Sequence, residues 1–284
     1  MSALARSAED YLTIRRSVGY ALQQEGRMLA SFVDYLERRG ATHVTIEAAL
    51  AWATAPEQAS STWWAKRLAV VRGFAAHLKT IEEDTEVPPN GLLPSRTCRT
   101  TPYLFSPAQI TALMAAARSL TSPLRAATFE TLIGLMAVTG LRTGEAMALD
   151  RADVDLDQGV LTIWRSKLGK SREVLLHEST TGALAEYAGR RDQLWPHAAT
   201  PSFFLSGRGT RLNHTNTSTT FADLLDRASI AVAPGQRRPR LYDLRHSFAV
   251  ATLVSWHADC ADVQSRLPVL STWMGHVKPA TTYW

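Results

Sequence analysis

The sequence predicts a mainly helical α+β protein built in two parts, and three observations lead there. Apolar stripes at helical spacing run through the first 80 residues. An acidic, proline-rich stretch without periodicity follows them. Beyond it, helical patterns resume around one pair of short apolar segments joined by a polar turn, so the expected sheet is small. A chain of 284 residues has the length to bury two cores.

Composition excludes several classes. With 45% hydrophobic and 20% charged residues, the chain has enough apolar surface to fold without a partner. No run of about 18 apolar residues exists to span a bilayer, and Met1 to Asp10 lacks the apolar core of a secretory signal. Cys98 and Cys260 are too few for a disulfide framework, and neither CxxC nor HExxH is present. The expected setting is a reducing cytoplasm, with no membrane partner and no cofactor.

In chain order, Met28, Leu29, Phe32, Val33 and Leu36 form one helical stripe, and Trp64, Leu68, Val71, Ala75 and Leu78 form another. Both read as core. Lys66 lies off the second stripe. With its neighbour Arg67 it is a candidate for meeting backbone phosphates, though a solvated lysine fits equally well. The stretch from Glu82 through Glu83, Asp84, Glu86, Pro88 and Pro89 to Pro94 has the composition of a linker. The expected division is a helical unit over 1–88, a linker over 89–103 and a second unit over 104–284. Ser106-Pro107 then opens a helix, with serine as N-cap and proline in the first turn. An apolar helix through Leu132 to Val138 stops at Thr139-Gly140. Val160–Trp164 and Glu173–Leu176 read as strands joined by the polar hairpin Ser166-Lys167-Leu168-Gly169-Lys170-Ser171. Helices are expected near Thr181, near Thr219 and over Asp243–Val254, the last packed down by Leu244, Phe248 and Ala251.

Charge is uneven. Residues 1–90 hold 10 Lys+Arg against 11 Asp+Glu, whereas residues 91–284 hold 21 against 15. The excess on the longer part suits a polyanion, which releases counterions when its phosphates are neutralised; ordinary solubility charge also fits.

Three clusters carry the chemistry. In Thr139-Gly140-Leu141-Arg142-Thr143-Gly144-Glu145, an arginine sits just past a glycine turn, and Glu145 lies one turn on, placed to orient it. Alone, this would pass for a surface ion pair. In Tyr242-Asp243-Leu244-Arg245-His246-Ser247-Phe248, Tyr242 and Arg245 are one turn apart and can reach a common ligand. Two arginines from distant segments are what a phosphodiester needs, because their forks hold non-bridging oxygens and the charge of a pentacoordinate phosphorus. In Trp273-Met274-Gly275-His276-Val277-Lys278, the histidine follows a glycine turn.

These clusters, in this order, resemble the tyrosine recombinases, the family of phage integrases and bacterial site-specific recombinases. The matches are TGLRTGE, RSKLGKSREVLL, LYDLRHSFA and LSTWMGHVKPATTY, spanning roughly residues 104–284. The resemblance implies a helical core-binding domain and a catalytic domain closing as a C-shaped clamp on DNA. It implies that Arg142, Arg245 and His276 clasp the scissile phosphate, and that Lys167 protonates the leaving 5′ oxygen, with Lys170 as its competitor and a further DNA contact. Tyr242 stands where most relatives have histidine. A phenol can still donate to a phosphate oxygen but is a poor base near neutrality, so phosphate contact or support is expected of it. The nucleophilic tyrosine of the family usually lies nine residues after the histidine, one position beyond Trp284. Tyr283 comes two residues earlier, about 200° away on a helix, and is the alternative in a shifted frame. The expectation is that the native protein continues, and that the 284-residue chain binds DNA without cutting it. The implied reaction is metal-free transesterification through a 3′-phosphotyrosyl ester, carried out by a homo-tetramer on a double-stranded recombination site in the bacterial nucleoid. A type IB topoisomerase and a DNA-binding accessory protein without catalysis are the competing readings.

Overall fold

A computed structural model describes residues 2–20, 22–94, 101–164, 171–233 and 235–275. The chain divides into two compact units, Met1–Arg99 and Thr100–Trp284.

The first unit contains α1 (Ala3–Ser17), α2 (Gln23–Arg38), α3 (Ile46–Thr54) and α4 (Ser61–Leu78). Ser2, Thr45 and Ser60 cap α1, α3 and α4 by accepting the backbone N–H three residues on, which satisfies donors the helix itself cannot use. The α2 stripe Met28, Leu29, Phe32, Val33 and Leu36 is buried, as are Leu68, Val71, Ala75 and Leu78 of α4. Trp64 is only half-buried and donates its indole N–H to the carbonyl of Pro56.

The acidic, proline-rich stretch is not a free linker from its start. Thr85 is fully buried, and the Glu86 carboxylate accepts the Ile46 N–H at the start of α3. Arg72 donates to the carbonyls of Pro88 and Pro89, while Val87 and Leu93 pack on the first core. Prolines remove backbone donors but leave carbonyls, and an arginine on α4 holds those carbonyls down.

The second unit contains α5 (Pro107–Arg118), α6 (Pro123–Thr139), α7 (Thr143–Ala148), β1 (Val154–Asp155), β2 (Val160–Ile163), β3 (Arg172–Leu175), α8 (Glu178–Leu194), α9 (His214–Arg227), α10 (Asp243–Ala258) and α11 (Val263–Trp273). Ser106 and Gln109 form a reciprocal capping box at the head of α5. Helix α6 is the central strut: Leu132, Ile133, Leu135 and Met136 are buried, and α5, α8 and α10 pack around it. The strands form an antiparallel sheet in the order β1-β2-β3, with Leu161 opposite Val174 and Ile163 opposite Arg172. Leu161, Ile163 and Val174 face the core, so the pleat leaves Thr162 and Glu173 outward.

Three short or interrupted elements escape a periodicity reading. These are six-residue α7, two-residue β1, and α11, which carries Pro268 inside it. Ala251, expected to pack α10 down, is exposed; Leu244, Arg245 and Ser247 form the buried face, and Phe248 is half-buried. No helix among the described residues is long and apolar enough to cross a membrane.

Candidate active site

The site lies where α6, α7, β3, α10 and α11 end or begin. Helix α6 stops because Gly140 takes the left-handed conformation at φ +63° and its N–H returns to the Met136 carbonyl. An added Cβ there would lie 2.4 Å from Cδ1 of Phe248, so no side chain fits. The chain then presents Arg142 as N-cap of α7, with Glu145 accepting the Arg142 backbone N–H at 3.0 Å.

Three arginines converge on the last turn of α11. The Nε of Arg172 donates to the Trp273 carbonyl at 2.8 Å. Arg245 donates Nη2 to the Met274 carbonyl and Nη1 to the Gly140 carbonyl, both at 2.6 Å. Arg142 donates Nη2 to the Gly275 carbonyl, also at 2.6 Å. A helix C-terminus carries orphan carbonyls and partial negative charge, which explains why cations gather there. The Trp273 indole closes the arrangement by donating to the Thr139 carbonyl at 2.9 Å.

Glu145 balances part of this charge. One oxygen accepts from Arg142 Nη1 at 2.5 Å and from Arg172 Nη1 at 3.1 Å, and the other accepts from Arg172 Nη2 at 2.8 Å. Burial alone would raise its pKa. The hydrogen bonds from Arg172 and Arg142 outweigh burial and hold the carboxyl below its ordinary value. Arg245 is 1% exposed, and burial, then the charge of Arg142, lower its pKa to about 10. It remains a cation at neutral pH. Three guanidinium groups against one carboxylate leave a net positive pocket, which can hold an anion and stabilise charge growing on it.

Of the residues expected from the sequence, Arg142, Arg245 and Glu145 come together here. Tyr242 stands at the head of α10, 40% exposed, its ring edge-on to His246 at 5.2 Å. Asp243 beside it is buried and held by two bonds from Arg237 Nη2 and one from the Arg240 N–H, which fixes the start of α10. Lys167, Lys170, His276 and Tyr283 lie outside the described residues. In the first unit, Lys66 is 44% exposed and donates to Gln24, with Glu25 at 4.0 Å. Arg67 is turned inward. Its guanidinium lies 3.7 Å from the centre of the Trp52 ring and donates to the Trp52 carbonyl at 2.6 Å. The residue that sequence reasoning left out is Arg172. It follows the hairpin among other lysines and arginines, and only its partner on α7 sets it apart. Among the described residues, no group of three or more His, Cys, Asp or Glu could hold a metal ion.

Residues 104–283 match the family model described as the phage integrase family. The chain belongs to that family, the tyrosine recombinases. It is 42% identical over 290 residues to y4rB of Sinorhizobium fredii, named as an integrase/recombinase, covering all of this chain and 92% of that protein. It is 30% identical over 268 residues to the tyrosine recombinase XerC of a Roseiflexus species, covering 89% of this chain and 79% of XerC. Two solved structures share the fold at a TM-score of 0.65. One is a lambda integrase (75–356) dimer bound to a COC′ core site, 15% identical, with coverage of 98% of this chain and 96% of that one. The other is XerH bound to difH substrate in a pre-cleavage complex, 16% identical, with coverage of 99% and 81%. For this integrase-family chain, a small sheet beside a largely helical framework is what the sequence predicts, whereas Arg172 and α11 complete the arginine pocket without a sequence signal.

Proposed function

We propose that the recombinase cuts and rejoins duplex DNA at a specific site, with Arg142 and Arg245 of this chain holding the scissile phosphate. The observation that carries the proposal is the meeting of two arginines, one from the α6–α7 turn and one from α10, on adjacent carbonyls of one turn. Each guanidinium has five N–H donors, and the bonds of Arg142 to Glu145 and Gly275 use only part of its fork. The solved relatives bound to a core site and to difH support duplex DNA as the ligand.

In the proposed reaction a tyrosine oxygen attacks phosphorus, a 3′-phosphotyrosyl ester forms, and the bond to the 5′ oxygen breaks. Arg142, Arg245 and His276 stabilise the pentacoordinate charge. Lys167 supplies the proton that the 5′ oxygen takes up, and Tyr242 supports the phosphate as a hydrogen-bond donor. The ester conserves bond energy, so a 5′ hydroxyl from a partner strand reverses the step without ATP. Exchange between two duplexes is carried out by four protomers. The attacking group is a tyrosine phenol, and Tyr283→Phe tests one candidate for it: loss of cleavage assigns the role to Tyr283, and intact cleavage excludes Tyr283.

The test is single-turnover cleavage of a nicked suicide duplex carrying the recombination site. Arg142→Ala and Arg245→Ala are each expected to lower formation of the covalent adduct by at least about 10²-fold. Normal cleavage by either variant contradicts the phosphate assignment. Paired sites distinguish recombination from relaxation of one duplex.

A further inference from the structure

Arg172 has protein partners on every side of its guanidinium. Its Nη1 and Nη2 take both oxygens of Glu145, at 3.1 and 2.8 Å, and its Nε takes the Trp273 carbonyl at 2.8 Å. Its side chain is 11% exposed. Its backbone is fixed as well, since it begins β3 opposite Ile163 in the ladder. Gly275 closes over it at φ +65°, and a Cβ on that glycine would lie 2.7 Å from Arg172 Nη1 and 3.3 Å from Arg142 Nη1.

We propose that Arg172 is a positioning residue for strand cleavage, acting through Glu145 on Arg142 and through the Trp273 carbonyl on the turn that leads into His276. This rests on the reading that Arg142 and Arg245 hold the scissile phosphate. All three nitrogens of the Arg172 guanidinium are committed to protein acceptors, so its work is to set the aim of its neighbours. Without it, Glu145 keeps Arg142 as its one charged partner and draws that guanidinium towards itself. The Trp273 carbonyl also loses its donor, and the turn loses one of three anchors. In sequence, Arg172 stands five residues after Lys167, and from the head of β3 its side chain reaches Glu145, the partner of Arg142. A bidentate arginine suits this role, because an ammonium cannot make the paired bonds and the carbonyl bond in one plane.

The experiment compares the full recombinase with its Arg172→Lys, Arg172→Ala, Glu145→Gln and Arg142→Ala variants. It reads the cleavage rate at saturating protein on a nicked suicide duplex, and Kd for the same duplex over a salt series. Arg172→Ala is expected to slow cleavage by about 10²-fold, the cost of a misplaced reacting group, and Arg172→Lys by less. Kd is expected to stay within about threefold of wild type, with the slope of log Kd on log salt unchanged, because no phosphate contact is lost. Rate losses of Arg172→Lys and Glu145→Gln are expected not to multiply in the double variant, since both break one link. Wild-type cleavage by Arg172→Ala overturns the proposal, and so does a salt slope lowered by about one, which marks a phosphate ligand. Multiplying effects with Glu145→Gln overturn it too. Should Arg172→Ala fail to fold, Arg172→Lys carries the same comparisons. Arg142→Ala is the control on the premise: an unchanged slope and rate there refute the phosphate reading itself, whatever Arg172 does.

Discussion

Replacing Gly140 with alanine perturbs the site at its narrowest backbone position. The residue sits at φ +63°, where an L side chain costs about 1–2 kcal/mol. The new Cβ would stand 2.4 Å from Phe248 Cδ1 and 3.0 Å from Cε1, so the ring must move by about 1 Å, and such overpacking costs about 1–3 kcal/mol. Together the loss is about 2–5 kcal/mol, a large share of the roughly 5–15 kcal/mol that holds a domain folded. The Gly140 carbonyl also accepts from Arg245 at 2.6 Å, so the buried guanidinium shifts with it. Urea unfolding reads the effect: at a slope of about 2 kcal/mol per molar, the midpoint falls by roughly 1–2.5 M. Gly140→Asn separates the two costs, since asparagine tolerates the left-handed region but keeps the Cβ contact. It should recover the smaller part only, and Phe248→Leu added to Gly140→Ala should recover the other. A midpoint for Gly140→Ala within experimental error of wild type would refute the packing argument.

Glu145→Gln should destabilise the second unit by about 2–4 kcal/mol at neutral pH, because two half-buried arginines lose their carboxylate. The native carboxyl titrates below its ordinary value, so its contribution is present above the unfolded pKa, about 4.3, and lost as pH falls through the folded one. The gap between wild type and Glu145→Gln should therefore narrow below about pH 4; a gap constant from pH 7 to pH 3 would contradict the pairing. Gly189, exposed within α8 with no heavy atom within 4 Å of an added Cβ, should accept alanine with a gain of about 0.5–1 kcal/mol and no change in cleavage. A loss of stability there would mean the helix is held in a form the structure does not have.

Much of the helical framework is readable from spacing, for a physical reason. The α2 stripe from Met28 to Leu36, the Ser106-Pro107 start and the Thr139-Gly140 stop are local signals, decided by neighbours three or four residues away. What escapes is decided at a distance. The Glu82–Pro94 stretch looks like a linker until Arg72 and the α3 N-terminus supply its partners from elsewhere in the chain. Helix α11 is hidden by Pro268, which breaks the pattern without ending the helix. In the site, Arg142 and Glu145 are legible as one turn of helix, and Arg245 is flagged by its motif. Arg172 is one of four cationic residues within RSKLGKSREVLL, and its bond to Glu145, 27 positions earlier, leaves no trace in local pattern. Arg67 shows the converse, since its charge suggests a phosphate contact, whereas its place beside the apolar stripe brings it to Trp52, which offers a ring face and a carbonyl.

A crystal structure of the recombinase on a duplex carrying its recombination site tests the assignment most directly. The account predicts one backbone phosphate with non-bridging oxygens about 2.7–2.9 Å from nitrogens of both Arg142 and Arg245, and Arg172 still on Glu145 without touching DNA. A duplex whose cleaved phosphate lies beyond hydrogen-bond reach of either Arg142 or Arg245 would contradict it.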